Sequence, residues 1–347
     1  MPPVLHHAWQ SLYPPVQSHA QGFLTRDHGH ALHWEQAGHP GAPAALVLHG
    51  GPGAGCSPGD KRWFDPSRWR IVLLDQRGAG HSTPGGHLQA NDLAHALDDI
   101  ETLREHLGIA RWLLFGGSWG STLALAYAQR HPHRVTGLVL RGVFLASARE
   151  QGWLFGAEGA ARLAPQAWSR LQAAAGSAQD LLAALAQRLQ DGDVAAARAW
   201  LGWEAALMRH EGGPDPDETD ADNDAETDTD GTALAAARVG VHFARHRYFV
   251  RPAGLLPGVA TVRHLPCVIV QGLQDRVTPS QTAQALHRAW PGSVLHLIDG
   301  AGHSSQHPAM AQALVAATDH LSGNQRSGQP IAQGDRDDPP PGPATRA

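Results

Sequence analysis

The apolar run Trp112-Leu113-Leu114-Phe115 leads without a spacer into Gly116-Gly117-Ser118-Trp119-Gly120, and then into Ser121-Thr122-Leu123-Ala124-Leu125-Ala126-Tyr127. A short apolar run followed by a longer helix-like stretch reads as a buried strand turning into a helix. Between them, glycines two before and two after the serine allow the backbone to double back without side-chain collision. Such a turn lifts the Ser118 hydroxyl above the end of a sheet. It also aims the N-terminal N–H groups of the helix at the place where an attacked carbonyl would gain negative charge. Among 39 glycines this spacing alone could be an ordinary tight turn. Its flanks make Ser118 a candidate nucleophile.

The surrounding pattern extends the sheet. Ile71 to Leu74, Ala94 to Leu107, Trp112 to Phe115, Trp119 to Arg130 and Val135 to Leu140 alternate strand-like with helix-like texture. That order predicts a mostly parallel, doubly wound α/β sheet. Phe23-Leu24-Thr25 and Ala31-Leu32-His33-Trp34, around Asp27-His28-Gly29, predict an antiparallel hairpin ahead of it.

A serine hydroxyl needs a base to become a nucleophile near neutral pH. Cys267-Val268-Ile269-Val270-Gln271-Gly272 reads as a buried strand with Asp275 just past its end, and Val294 to Ile298 as the next strand, running into Asp299-Gly300-Ala301-Gly302-His303. Catalytic groups of open parallel sheets gather at these strand ends. His303 is therefore expected to act as general base and then general acid, with Asp275 orienting its ring. Asp299 is nearer to His303 in sequence, but it is expected to be a turn residue. With 23 histidines in the chain, it is the loop position of His303 that singles it out. A further turn, His49-Gly50-Gly51-Pro52-Gly53, follows the strand Ala44 to Leu48. Its glycines let a backbone N–H approach a carbonyl oxygen, so Gly51 N–H and Trp119 N–H are the expected oxyanion donors. A phosphate loop is the weaker reading, because no G-x-x-x-x-G-K-[ST] pattern occurs and Lys61 is the sole lysine.

Taken in series, His49-Gly50-Gly51-Pro52-Gly53, Asp75-Gln76-Arg77-Gly78-Ala79-Gly80-His81-Ser82 and the Ser118 motif resemble the prolyl aminopeptidase (proline iminopeptidase) family of α/β-hydrolases. Leu12-Tyr13-Pro14-Pro15, His33-Trp34-Glu35-Gln36 and Leu140-Arg141-Gly142-Val143-Phe144-Leu145 match as well, so the likeness runs from about Trp9 to about residue 320. The resemblance implies an α/β-hydrolase fold and a cytoplasmic serine exopeptidase that removes N-terminal proline from peptides without a cofactor or metal. It puts the triad on Ser118, Asp275 and His303, agreeing with the spacing. It also implies that Glu204, in Trp203-Glu204, binds the substrate amine, and that Phe144 and Phe155 pack on the proline ring. A second family glutamate precedes a His-Tyr-Phe run. Taking Arg247-Tyr248-Phe249 as the equivalent run puts Arg245 at that position, a reversal of charge. The alternative is then a related hydrolase of esters, amides or non-prolyl peptides. Loss of catalysis to leave a binding module fits poorly with a full set of triad residues. Dehalogenase and epoxide hydrolase chemistries use Asp where this chain has Ser118.

Core segments are expected over 1–145 and 251–321, with an inserted helical cap over 146–250 that covers the catalytic edge. Residues 212–232 carry many acids and no large apolar side chain, which predicts a disordered loop, and residues 322–347 predict a disordered tail. An EF-hand starting at Asp220 fails, since Ala225 and Gly231 occupy the positions that need Gly and Glu. The net charge is −5, with much of the acid in that loop, so nucleic acid is not an expected partner. The opening residues lack a basic n-region and an apolar h-region, and no run of about 18 apolar residues predicts a membrane span. Cys56 and Cys267 are the two cysteines and form no metal-spaced cluster, so a reducing compartment is expected.

Overall fold

The computed structural model describes residues 12–176, 180–209 and 229–326. One eight-stranded sheet runs through it in the order β1-β2-β4-β3-β5-β6-β7-β8. Strands β1 (Ser18–Thr25) and β2 (Ala31–Gly38) form the expected antiparallel hairpin, and β2 pairs antiparallel with β4 (Arg70–Leu74). The remaining strands, β3 (Ala44–Leu48), β5 (Trp112–Gly117), β6 (Val135–Arg141), β7 (Cys267–Gly272) and β8 (Ser293–Ile298), pair in parallel with one another and with β4.

Central strands are apolar on both sides because both faces of the sheet are covered. Along β5, Trp112 and Leu114 pack into one core while Leu113 and Phe115 pack into the other, the period-two alternation of a strand. On the first face lie α1 (Leu93–His106), α2 (Trp119–Arg130) and α8 (Ser280–Ala289). The second face is closed by α9 (Pro308–Arg326) with Trp63, Phe64 and Trp69.

Between β6 and β7 the chain builds α3 (Ala148–Phe155), α4 (Pro165–Ala175), α5 (Leu181–Gln190), α6 (Val194–Met208) and α7 (Thr229–Arg245). Entry into them is pinned by Glu150, which accepts hydrogen bonds from Leu145 N (2.8 Å), Ser147 N (2.9 Å) and Ser147 Oγ (2.6 Å). Helix α7 lies directly on the turn after β3: a Cβ at Gly53, whose φ is +107°, would stand 2.7 Å from Ala236 O. The helices are thereby held against the loops at the C-terminal edge of the sheet.

Two boundaries differ from expectation. The acidic stretch was expected to run to Thr232, yet Thr229 already begins α7, whose first turn carries Asp230 paired with Arg198 at 2.6 Å. An acid there complements the positive end of the helix. At the far end, α9 continues past Ser322, which is buried and donates to Asp319 O at 2.8 Å, as far as Arg326. The rest of the acidic stretch, including the segment tested for an EF-hand, and the remainder of the tail lie outside the described residues. Among the described residues no helix is long and apolar enough to cross a membrane.

Candidate active site

Ser118 sits between β5 and α2 with φ +57° and ψ −124°, a conformation that non-glycine residues rarely adopt. Its backbone is locked from both sides: Ser118 N donates to Arg141 O at 2.9 Å, and Ser118 O accepts from Ser121 N at 2.9 Å and Ser121 Oγ at 2.6 Å. Glycine is needed on either flank, because a Cβ at Gly116 would collide with Gly120 O and one at Gly120 with Leu48 O. The strain of the serine is therefore held by close backbone packing of β3, β5 and α2.

Past β7, Asp275 is buried and accepts from Val277 N (2.9 Å), Thr278 N (2.8 Å), Thr278 Oγ1 (2.9 Å) and Gln271 Nε2 (2.9 Å). Its Oδ2 stands 2.8 Å from His303 Nδ1. Burial alone would raise its pKa, but the His303 charge and hydrogen bond and the Thr278 donors hold it below the usual carboxylate value. The group is thus ionised, and His303 takes the Nδ1–H tautomer, leaving Nε2 as the basic nitrogen. Arg141 Nη1 donates to His303 O at 2.6 Å and steadies the loop that carries the ring. Asp299, in contrast, is exposed and accepts from Gln274 Nε2 and Gly300 N, as a turn residue does.

The turn after β3 faces the serine. A Cβ at Gly50 would be 3.4 Å from Ser118 Cβ, and Gly51 has φ +36°. Trp119 is the first residue of α2, so its N–H has no acceptor within the helix. The Trp119 indole donates to Gln76 Oε1 at 2.7 Å, Gln76 Nε2 donates to His49 O at 3.1 Å, and Gln76 N donates to His49 Nε2 at 3.0 Å. Burial lowers the pKa of His49, so it stays neutral and accepts that bond. Gln76 thus ties the turn after β3 to the start of α2. Its neighbour Arg77 anchors the same loop through Asp99 (2.6 and 2.7 Å) and Asp27 (2.7 Å).

One cavity of about 630 Å³ is lined by Gly51, Ser118, Trp119, Phe144, Phe155, Glu204 and His303, and reaches Arg141, Trp203, Met208 and Tyr248. The expected nucleophile, base, oxyanion donors and substrate-binding residues all meet there, with the buried Asp275 behind His303 outside the lining. Phe144 packs edge-on against Tyr248 (4.8 Å between ring centres), and Phe155 stacks on Trp200 (5.5 Å). Glu204 is half-buried, and the cost of burying its charge pushes its pKa up to about 7. Arg245 is elsewhere. Arg238, His242 and Arg245 form one stripe of α7, and this stripe lines a separate cavity with Gly86, His87 and His246. The expected charge reversal is therefore absent from the Ser118 cavity, where Tyr248 is the contribution of that stretch. Arg141, Gln271, Thr278 and Tyr248 escaped the sequence reading. A glutamine closing the apolar run Val268-Ile269-Val270 was the one available signal for Gln271.

Strand order, the strained serine after β5, and the His–Asp pair carried by the loops after β7 and β8 together define a protein of the α/β-hydrolase fold. The family model described as "alpha/beta hydrolase fold" matches residues 43–309. A proline iminopeptidase of Xylella fastidiosa (strain Temecula1) is 44% identical over 89% of this chain and 99% of its own. Those of Arabidopsis thaliana and Neisseria gonorrhoeae are 42% and 41% identical over 90% and 89% of this chain and 82% and 98% of their own. The chain belongs to the proline iminopeptidase family. Among solved structures, an esterase from Exiguobacterium antarcticum is similar in fold, with a TM-score of 0.58 at 16% identity, covering 87% of this chain and 99% of its own.

Proposed function

We propose that this chain is a serine exopeptidase that releases N-terminal proline from peptides. The observation that carries this reading is the position of Glu204, a half-buried carboxylate in the cavity that Ser118 and His303 also line, among Phe144, Phe155, Trp203 and Tyr248. Such a wall suits a compact apolar ring with a cationic amine close to the reacting carbonyl, and an N-terminal prolyl residue offers both. The names of the relatives support the same substrate.

In this reading Ser118 Oγ attacks the prolyl carbonyl and passes its proton to His303 Nε2. The carbonyl oxygen, now negative, is held by Gly51 N–H and Trp119 N–H, each donor contributing roughly 3–4 kcal/mol in comparable enzymes. The C–N bond breaks as His303 returns the proton to the leaving amine, which frees the shortened peptide. Water, deprotonated by the same nitrogen, then cleaves the prolyl ester and regenerates Ser118. Asp275 holds the Nδ1–H tautomer and offsets the positive imidazolium. Glu204 holds the secondary amine of the substrate, which makes a free N-terminus a requirement. No step calls for a cofactor. The residues 146–250 act as a cap over this edge, and the core segments 1–145 and 251–321 carry the machinery. With Cys56 and Cys267 both unpaired, a cytoplasmic location is the compartment this reading favours.

The alternative of an ester or amide hydrolase rests on Arg245 in the amine subsite, and it loses that support with Arg245 on another cavity. Turnover of a proline chromogenic anilide, beside its alanine analogue, its N-acetylated form and a short-chain nitrophenyl ester, tests the proposal. Cleavage confined to the free-amine proline anilide is the expected result. Equal turnover of the N-acetylated form would overturn the amine-binding role.

A further inference from the structure

The second long motif of the chain, Asp75 to Ser82, places a side-chain cluster outside the Ser118 cavity. Asp75, at the end of β4, is buried, with Oδ1 accepting from Cys56 N at 2.7 Å and Oδ2 accepting from His81 N at 2.9 Å. Two imidazoles converge on that same Oδ2: His33 Nδ1 from β2 at 3.3 Å and His81 Nδ1 at 3.2 Å. A carboxylate oxygen has two lone-pair directions, and the His81 N–H already takes one of them. A single direction thus remains for two ring nitrogens.

A bound cation would resolve this crowding. Bonds of about 2.0–2.2 Å from nitrogen and oxygen to a tetrahedral zinc-class ion put neighbouring ligand atoms about 3.3 Å apart. The two nitrogen–oxygen separations, 3.3 and 3.2 Å, match two edges of such a tetrahedron, and the ligand atoms offered by the three residues lie within 4.8 Å of one another. Two imidazoles and one carboxylate suit Zn²⁺, Ni²⁺ or Co²⁺ in preference to Mg²⁺ or Ca²⁺. Each ring would bind through its Nδ1 lone pair, with a proton on Nε2. His81 is 71% exposed, which leaves a path for the ion and room for water as fourth ligand, whereas His33 is only 13% exposed and its ring leans on Phe23 at 5.4 Å.

We propose that His33, Asp75 and His81 form a binding site for one divalent transition-metal ion, separate from the peptidase chemistry. Sequence spacing could not reveal it, because the ligands come from β2, the end of β4 and the following loop. A bound ion cross-links those three segments. Through Cys56 N on Asp75 Oδ1, it also braces the far end of the turn after β3. The proposal does not depend on the substrate reading above.

Calorimetric titration of Zn²⁺, Ni²⁺ and Co²⁺ into untagged, full-length protein tests it, using the wild type, His33→Ala, His81→Ala and the double variant. The expected result is one ion per chain in the wild type. Each single variant should weaken binding at least tenfold, and both should lose the visible absorption of tetrahedral Co²⁺. Zinc should raise the Tm of the wild type but not of His81→Ala. Because His81 is exposed, its variant keeps the test valid even if His33→Ala fails to fold. No binding by the wild type, or equal uptake by the double variant through the chain's other histidines, would overturn the proposal.

Discussion

His303 presents Nδ1 to Asp275 Oδ2 at 2.8 Å, while four further donors from Gln271, Val277 and Thr278 hold the carboxylate still. The aspartate cannot swing away, so the orientation of the ring is set before any substrate arrives. Two of its donors are backbone N–H groups of the loop that follows β7, which makes the carboxylate part of the loop's own hydrogen bonding. Replacing it affects the tautomer of His303 more than the position of the chain.

Asp275→Asn is accordingly expected to lower kcat by roughly 10⁴-fold, the cost of the wrong imidazole tautomer in a comparable triad. KM should change little, because Asp275 does not line the cavity. The check is steady-state kinetics on the proline anilide, with circular dichroism to show that the fold is retained. A drop of less than tenfold would remove Asp275 from the triad.

Glu204 gives a prediction in pH. Burial raises its pKa to about 7, so the carboxylate that would hold a cationic amine exists mainly above that value. For free-amine substrates kcat/KM should rise as the pH passes through about 7, and Glu204→Gln should raise KM and abolish that rise. Stability runs the opposite way. The folded pKa lies above the ordinary 4.5, so the folded chain binds the extra proton between 4.5 and about 7, and loses stability as the pH rises across that window. Glu204→Gln removes this loss. Its Tm relative to wild type should therefore increase between pH 5 and pH 8, and a difference independent of pH would show that Glu204 is not buried as described.

Cys56 yields a prediction about reactivity. Its thiol donates to Leu74 O at 3.5 Å, and burial, with the negative charges of Asp75 and Asp60, pushes its pKa well above the ordinary value. A thiol, not a thiolate, is present at neutral pH, and it is a poor nucleophile. Iodoacetamide at pH 8 should label Cys56 more slowly in the native chain than in the unfolded one. Labelling at similar rates would mean that the loop after Gly55 opens freely.

Much of this arrangement is legible in the sequence where local geometry forces the residue choice. The turn at Ser118 needs glycine at 116 and 120 because Gly120 O and Leu48 O occupy the space a Cβ would take. The central strands read correctly because they alternate between two buried faces. Less legible was where a helix ends and how the chain turns after it: α7 stops at Arg245, and Arg247, Tyr248 and Phe249 follow with positive φ. Arg245 and Tyr248 are three residues apart, yet one lines a separate cavity and the other meets Phe144 in the Ser118 cavity. Reading that stretch as a linear motif placed the wrong side chain in the pocket. The Gln271–Asp275 bond and the cluster around Asp75 were equally hidden, since they join residues brought together only by strand pairing and loop closure.

The conformation of Ser118 itself predicts a trade between stability and function. At φ +57° and ψ −124° a residue with a Cβ is strained, by about 1–3 kcal/mol in such regions, and the hydrogen bonds to Arg141 O and from Ser121 prevent relaxation. Ser118→Ala removes the hydroxyl but keeps the Cβ, so it should be inactive and no more stable than wild type. Ser118→Gly removes both. It should be equally inactive yet more stable than Ser118→Ala by about 1 kcal/mol, the relief of strain exceeding the added flexibility of glycine in the unfolded chain. Urea unfolding of the two variants measures the difference directly. If the glycine variant proved the less stable, the backbone at this turn would not be strained, and the serine would be held by its side-chain surroundings instead.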